Sequence, residues 1–113
     1  MEYKRSERVA GDLKIQLSDI ILKEIKDPLI GFVTITNVIV SDDLKIAKVF
    51  FSVLGDSIEK QNSYKGLFRA KKFLRKELSS RIRLKNIPEL RFFMDDTSDK
   101  ISKIDELLKK AKL

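Results

Sequence analysis

Apolar residues along this chain change their spacing several times, and each change marks an element. Val9, Leu13, Leu17, Ile20 and Ile21 recur mainly at intervals of three and four, which lays one apolar stripe along a helix. The spacing predicts a helix over residues 3–26. Gly11 weakens its early turns by about 1 kcal/mol relative to alanine. The tripeptide KDP closes it, because Pro28 disfavours helical geometry at Asp27 and has no N–H to give. FVTITNVIV, residues 32–40, is rich in β-branched side chains and alternates in part, so it reads as a strand. SDDL, 41–44, is turn chemistry. IAKVFFSVL, 46–54, places Ala47, Val49, Phe51 and Val53 on one face and Lys48 and Ser52 on the other. It predicts a half-buried strand paired with the first as a hairpin.

GDS, 55–57, breaks the pattern, and Asp56 or Ser57 can cap a helix beginning there. A basic amphipathic region then runs to about residue 84. NIPEL interrupts it, and LRFFM, 90–94, reads as a third strand. DDTSD offers caps for a last helix over about 99–112, where Ile101, Ile104, Leu107, Leu108 and Ala111 share a face. Acids at its start and lysines at its end suit the helix dipole. The order predicts an α+β sandwich, a three-stranded sheet covered by helices. At 113 residues the chain is read as one domain, 1–113.

Composition narrows the chemistry. The chain has no cysteine and no histidine, which removes disulfides, thiolate chemistry and the commonest general base and metal ligand. Its apolar runs are far shorter than the roughly 20 residues that span a bilayer. The opening MEYKRSERVAGDLK is charged throughout, unlike a signal peptide. The expectation is a cytoplasmic protein with no membrane contact. Charge is placed unevenly. Of the 24 basic residues, nine lie within 65–85: Lys65, Arg69, Lys71, Lys72, Arg75, Lys76, Arg81, Arg83 and Lys85. Glu77 is the one acid there, and the rest of the chain is almost neutral, 15 basic residues against 16 acidic. A local basic patch on a near-neutral body points to a polyanionic partner; the plain alternative is a solvated helix face.

Projected at roughly 100° per residue on one helix, Lys65, Arg69, Lys72, Lys76 and Arg83 form a narrow stripe. Leu67, Ala70, Leu74, Leu78 and Ile82 lie opposite. Lys71 and Arg81 land inside the apolar arc, Arg75 lies on its margin, and Phe73 turns towards the basic side. Burying an unpaired ammonium is costly, so one straight helix fails. Two helices, about 58–70 and 72–84, meeting at a bend near Ala70–Lys72, would move Lys71 out and Phe73 in. The exposed first N–H groups of the second helix, with the flanking lysines, would then suit a phosphate.

The residues also resemble a family. RSERVAGDLKIQLSDIILKEIKDPLIGFVTITNVIVSDDLKIAKVFFSVLG and FLRKELSSRIRLKNIPELRFFMDD resemble the two halves of the bacterial ribosome-binding factor A family. KDPLIGFVTIT, DLKIAKVFFSV and IPELRFFMD, in that order, are the specific pieces. The resemblance implies a KH-like fold of type II, αββααβ, with an extra C-terminal helix. In place of the Gly-rich clamp loop of ordinary KH domains, it implies an Ala-x-Gly interhelical kink. That motif falls on Ala70, Lys71 and Lys72, with Lys72 where the family has glycine. It implies a non-enzymatic assembly factor that binds the free small (30S) ribosomal subunit and 16S rRNA. It further implies late maturation, 5′-end processing of precursor 16S rRNA and growth in the cold. Neither residues nor resemblance call for a cofactor or a small-molecule substrate, and a monomer is expected. The RNA-binding set read from the chain is Lys65, Arg69, Lys71, Lys72, Arg75, Lys76, Arg83 and Lys85, with Arg5 and Arg8 from the N-terminus.

Other constellations have plainer readings. Asp42–Asp43 and Asp95–Asp96 could be imagined as metal ligands of a nuclease, but each pair lies in turn and cap chemistry, so no catalytic residue and no metal site is assigned. Of Phe50, Phe51, Phe92 and Phe93, about half must face the core; Phe51 is read as core and Phe50 is left open. Lys4, Arg5 and Arg8 either extend the patch or form a flexible terminus. A KH-like regulator of mRNA, and a protein-interaction module with an acidic partner, are the alternative functions.

Overall fold

The computed structural model describes residues 4–95. Helix α1 (Arg5–Lys23) precedes strands β1 (Phe32–Val40) and β2 (Ile46–Leu54). Helices α2 (Ser57–Arg69) and α3 (Lys71–Arg81) follow, then β3 (Glu89–Met94). The sheet order is β1-β2-β3. β1 pairs antiparallel with β2, and β2 pairs parallel with β3. The two middle helices supply the crossover that a parallel pair requires. This is the expected α+β architecture. The helix expected over 99–112 lies outside the described residues.

The hairpin and the limits of β1 and β2 fall where the sequence places them, while β3 begins one residue earlier, at Glu89. Leu44 N–H bonds the Ser41 carbonyl at 2.9 Å, and the Ser41 hydroxyl accepts the N–H groups of Lys45 and Ile46. Leu44 takes a positive φ of 61° to close the loop, the left-handed residue that follows a type I turn in hairpins of this length. The partial alternation of β1 has a structural cause. A register shift between Ile35 and Asn37 leaves Thr36 as an extra residue. Without it, Ile35 and Val38 could not both face the core. The Thr36 hydroxyl donates instead to Asp95 at 2.9 Å.

One apolar core lies between the helices and one face of the sheet. It joins Val9, Leu13, Leu17 and Ile20 of α1 to Leu67, Leu74 and Leu78 of the middle helices and to Ala47, Val49, Phe51, Leu90 and Phe92 of the sheet. Phe51 is wholly buried, with Phe92 edge-on at 6.2 Å and Tyr64 stacked at 6.3 Å. Phe50 and Phe93 stack on each other at 5.6 Å on the opposite face, which also exposes Phe32, Ile39 and Leu54.

Several boundaries differ from the sequence reading. α1 ends at Lys23 rather than 26, with Glu24 capping onto the Ile20 carbonyl. α3 ends at Arg81 rather than 84, because Ile82 is already extended at φ −121°, ψ 131°. Asp56 is the cap of α2, its carboxylate accepting the Glu59 N–H at 2.8 Å.

Candidate nucleic-acid interface

The bend between α2 and α3 is a single residue. Ala70 has φ −82° and ψ −1°, ends α2 and begins α3. Its N–H is shared between the carbonyls of Gly66 (3.0 Å) and Leu67 (3.1 Å), and its own carbonyl accepts the Leu74 N–H. Among the described residues only Leu44 and Gly55 have positive φ, so the bend keeps right-handed geometry throughout. Lys72 therefore stands in the glycine position of the motif without backbone strain. α3 starts with no side-chain cap and no acid in its first turn. No acidic side chain of its own first turn meets its dipole there, and Lys71 and Lys72 stand beside it.

Two sequence expectations fail at this bend. Lys71 does not leave for solvent; it lies half-buried with its ammonium 4.5 Å from the centre of the Phe68 ring, a cation–π contact that compensates partial burial. Phe73 does not turn in and remains exposed. The core over α3 is filled by Leu74 and Leu78 instead.

The cations divide by what they touch. Arg81, the other misfit of the single-helix projection, bridges α3 to α1. It bonds Asp19 at 2.8 Å and Glu24, and reaches the Gln16 amide oxygen at 3.2 Å. The bond to Asp19, with a second from Lys23, holds the Asp19 carboxyl below its ordinary range, and the same contact raises Arg81 further. Arg69 pairs with Asp27 at 3.0 Å. Arg75 donates to the Ile87 carbonyl at 3.0 Å, tying α3 to the segment before β3. Lys65, Lys72 and Lys76 are exposed, with no ion-pair partner among the described residues.

Arg83 does not continue their stripe, because α3 ends before it. The fold places it beside the N-terminal cluster. Arg5, Arg8, Arg81 and Arg83 line one groove of about 480 Å³, with Asp12 on its wall. A neighbouring groove of about 400 Å³ shares Arg5 and adds Lys45, Arg75 and Lys85, with Asp43 and Glu89 also in its lining. Arg5 and Arg8 belong to the first turns of α1 rather than to a loose terminus. The basic surface thus has two parts, one at the bend and one where α1 meets the end of α3. Sequence reasoning missed Lys45 in this second part, and no local pattern marks it.

One aspartate of each pair has structural work. Asp43 accepts the Ser41 hydroxyl at 2.7 Å and the Lys45 N–H at 3.1 Å, which lower its pKa. Asp95 accepts Thr36, and Asp96 lies outside the described residues. No group of three or more acidic residues placed to hold a metal occurs among the described residues, and none of their helices is long and apolar enough to cross a membrane.

This arrangement of elements is found elsewhere. The profile of a family described as Ribosome-binding factor A matches residues 5–108. The chain belongs to that family. A Thermotoga maritima protein assigned as a ribosome binding factor A, solved by solution NMR, is 31% identical, with a TM-score of 0.71 over 82% of this chain and 90% of that one. The crystal structure of ribosome-binding factor A from Thermus thermophilus is 24% identical, with the same TM-score of 0.71 over 79% of this chain and 93% of that one. The Thermus thermophilus factor as fitted into a cryo-EM map of a 30S–RbfA complex is 23% identical, with a TM-score of 0.70 over 83% and 98% of the two chains. The last two show likeness of fold.

Proposed function

We propose that this chain binds the free small ribosomal subunit through 16S rRNA and promotes its late maturation, including 5′-end processing of the precursor. The observation that carries the reading is the basic surface of a ribosome-binding factor A fold. Its lysines flank an uncapped helix start at the bend, on a body whose remaining charge nearly cancels. Phosphates supply the charge such a surface needs, and a helix start adds N–H donors. The fit of a structural relative into a 30S complex supports the same partner. The protein acts in the cytoplasm as a monomer and as a binding factor rather than an enzyme; the structural partners of Asp43 and Asp95 support the last point.

Gradient sedimentation of the tagged protein tests this. Expected is co-migration with free small subunits, absent from assembled ribosomes. Heterogeneous mRNA in the bound fraction would favour a regulator, and complexes that survive RNase would favour a protein partner. With about five phosphate contacts, log affinity should fall against log salt with a slope of roughly −3.5 to −4.5.

A further inference from the structure

Between α1 and β1 the chain makes a short turn at Asp27–Ile30. Asp27 shapes it by accepting the Leu29 N–H on its carboxylate at 2.9 Å and the Ile30 N–H on its carbonyl at 3.0 Å. The turn lies directly against α2 because Gly66 has no side chain. A Cβ built there would stand 2.5 Å from Ile30 Cγ1. Two polar contacts lock the approach: Arg69 on Asp27 at 3.0 Å, and the Gly31 N–H donating to the buried Ser63 hydroxyl at 3.1 Å. The result is a recess of about 400 Å³ lined by Leu29, Tyr64, Lys65, Phe68 and Arg69.

The lining is mostly apolar and aromatic, with two cations, Lys65 and Arg69, one turn apart on α2. Tyr64 is held in place by its stack on Phe51, yet stays 41% exposed. Phe68 is 57% exposed, with Lys71 near its ring. Asp27, the nearby carboxylate, is already paired with Arg69. The recess is of a size that ligand pockets have, at the small end of about 300–1,000 Å³. Aromatic faces interleaved with cations suit a base and its phosphate, because every base has a π-face and stacking needs no sequence. A base paired inside a duplex cannot reach such a recess, whereas an unpaired one can.

We propose that this recess takes the base of an unpaired nucleotide, stacked against Phe68 and Tyr64, with its phosphate on Lys65. The proposal rests on the RNA reading above and gives it a ligand class: single-stranded RNA beside the bend, rather than duplex backbone alone. It also accounts for large aromatics left in solvent next to the basic stripe.

The test uses the full chain, a single-stranded RNA 12-mer and a duplex of the same length, with affinity measured by fluorescence anisotropy over a salt series. Phe68→Ala removes a wall without removing charge. Its single-strand affinity should fall about tenfold, the loss expected for one base–aromatic stack, with an unchanged salt slope and unchanged duplex binding. Phe68→Tyr should restore it. Leu29→Trp fills the recess from the other wall and should give the same loss, which keeps the test open if Phe68→Ala fails to fold. Parent-like single-strand binding by folded variants overturns the proposal. Equal losses for single strand and duplex also overturn it, as does an RNase-resistant protein partner captured through Phe68. A parent protein that binds neither RNA nor small subunits overturns the RNA reading itself, a result separable from insensitivity at Phe68.

Discussion

Arg81 and Asp19 form a contact that no neighbouring residue suggests. Arg81 sits where the helical period would bury it, and it is tolerated because Asp19 and Glu24 of α1 meet it. The consequence is a pH dependence with a definite sign. The bond from Arg81, followed by that from Lys23, lowers Asp19. The native state then holds fewer protons than the unfolded chain between the two pKa values, so stability falls as pH falls. The contribution is fully present above the ordinary carboxylate range of about 4 and is lost as pH drops through the depressed native value. A series of melting temperatures from about pH 6 to about pH 3 should therefore decline in the parent and decline less in Asp19→Asn. Phe51 gives the second prediction at this scale. It is fully buried between Tyr64 and Phe92, so Phe51→Ala should cost about 3–5 kcal/mol in urea denaturation, a large share of a small domain's stability. A variant that melts like the parent but loses RNA would make Phe51 a contact residue instead.

At the scale of elements, two glycines in helices ask for opposite outcomes from one substitution. Gly11 of α1 has open space where a side chain would stand, with nothing within 4 Å of an added Cβ. Gly11→Ala should thus stabilise by about 0.8–1 kcal/mol, the propensity difference alone. Gly66 of α2 is in the reverse situation. Gly66→Ala drives a methyl into Ile30, and overpacking of this kind typically costs about 1–3 kcal/mol. Because the same contact sets the turn at Asp27–Ile30 against α2, single-strand affinity should drop along with the melting temperature. Paired thermal melts of the two variants check the sign of each effect.

At the scale of the molecule, the question is whether binding senses a located surface or net charge. Lys72 and Lys76 are exposed on α3, while Lys48 lies on the open face of the sheet, away from the helices. Lys72→Glu with Lys76→Glu should leave the melt within about 0.5 kcal/mol of the parent and weaken binding to purified small subunits. Each lost phosphate contact should reduce the salt slope by close to one unit. Lys48→Glu should change little; an equal loss there would mean that net charge alone is read. Arg5→Gln with Arg83→Gln probes the groove where α1 meets the end of α3 in the same assay.

Among the described residues, the elements and their order, the hairpin, the buried face of β2 and the bend at Ala70 are legible in the chain as written. Those features lie in spacings of two, three and four residues, and such periods are local. The family is legible too, through pieces of chain long enough to be specific. Which charges meet depends on the folded molecule. Arg81 reaches Asp19 across 62 positions and Arg69 reaches Asp27 across 42, and no period relates residues so far apart. Folding likewise brings Arg83 to Arg5 and Arg8, by ending α3 early, and leaves Phe73 outside, because Leu74 and Leu78 already fill the space above the sheet. The recess at Leu29 exists only because a glycine on one element faces a turn from another. Local pattern fixes what each segment is; the meeting of distant surfaces fixes which side chains remain to meet a partner.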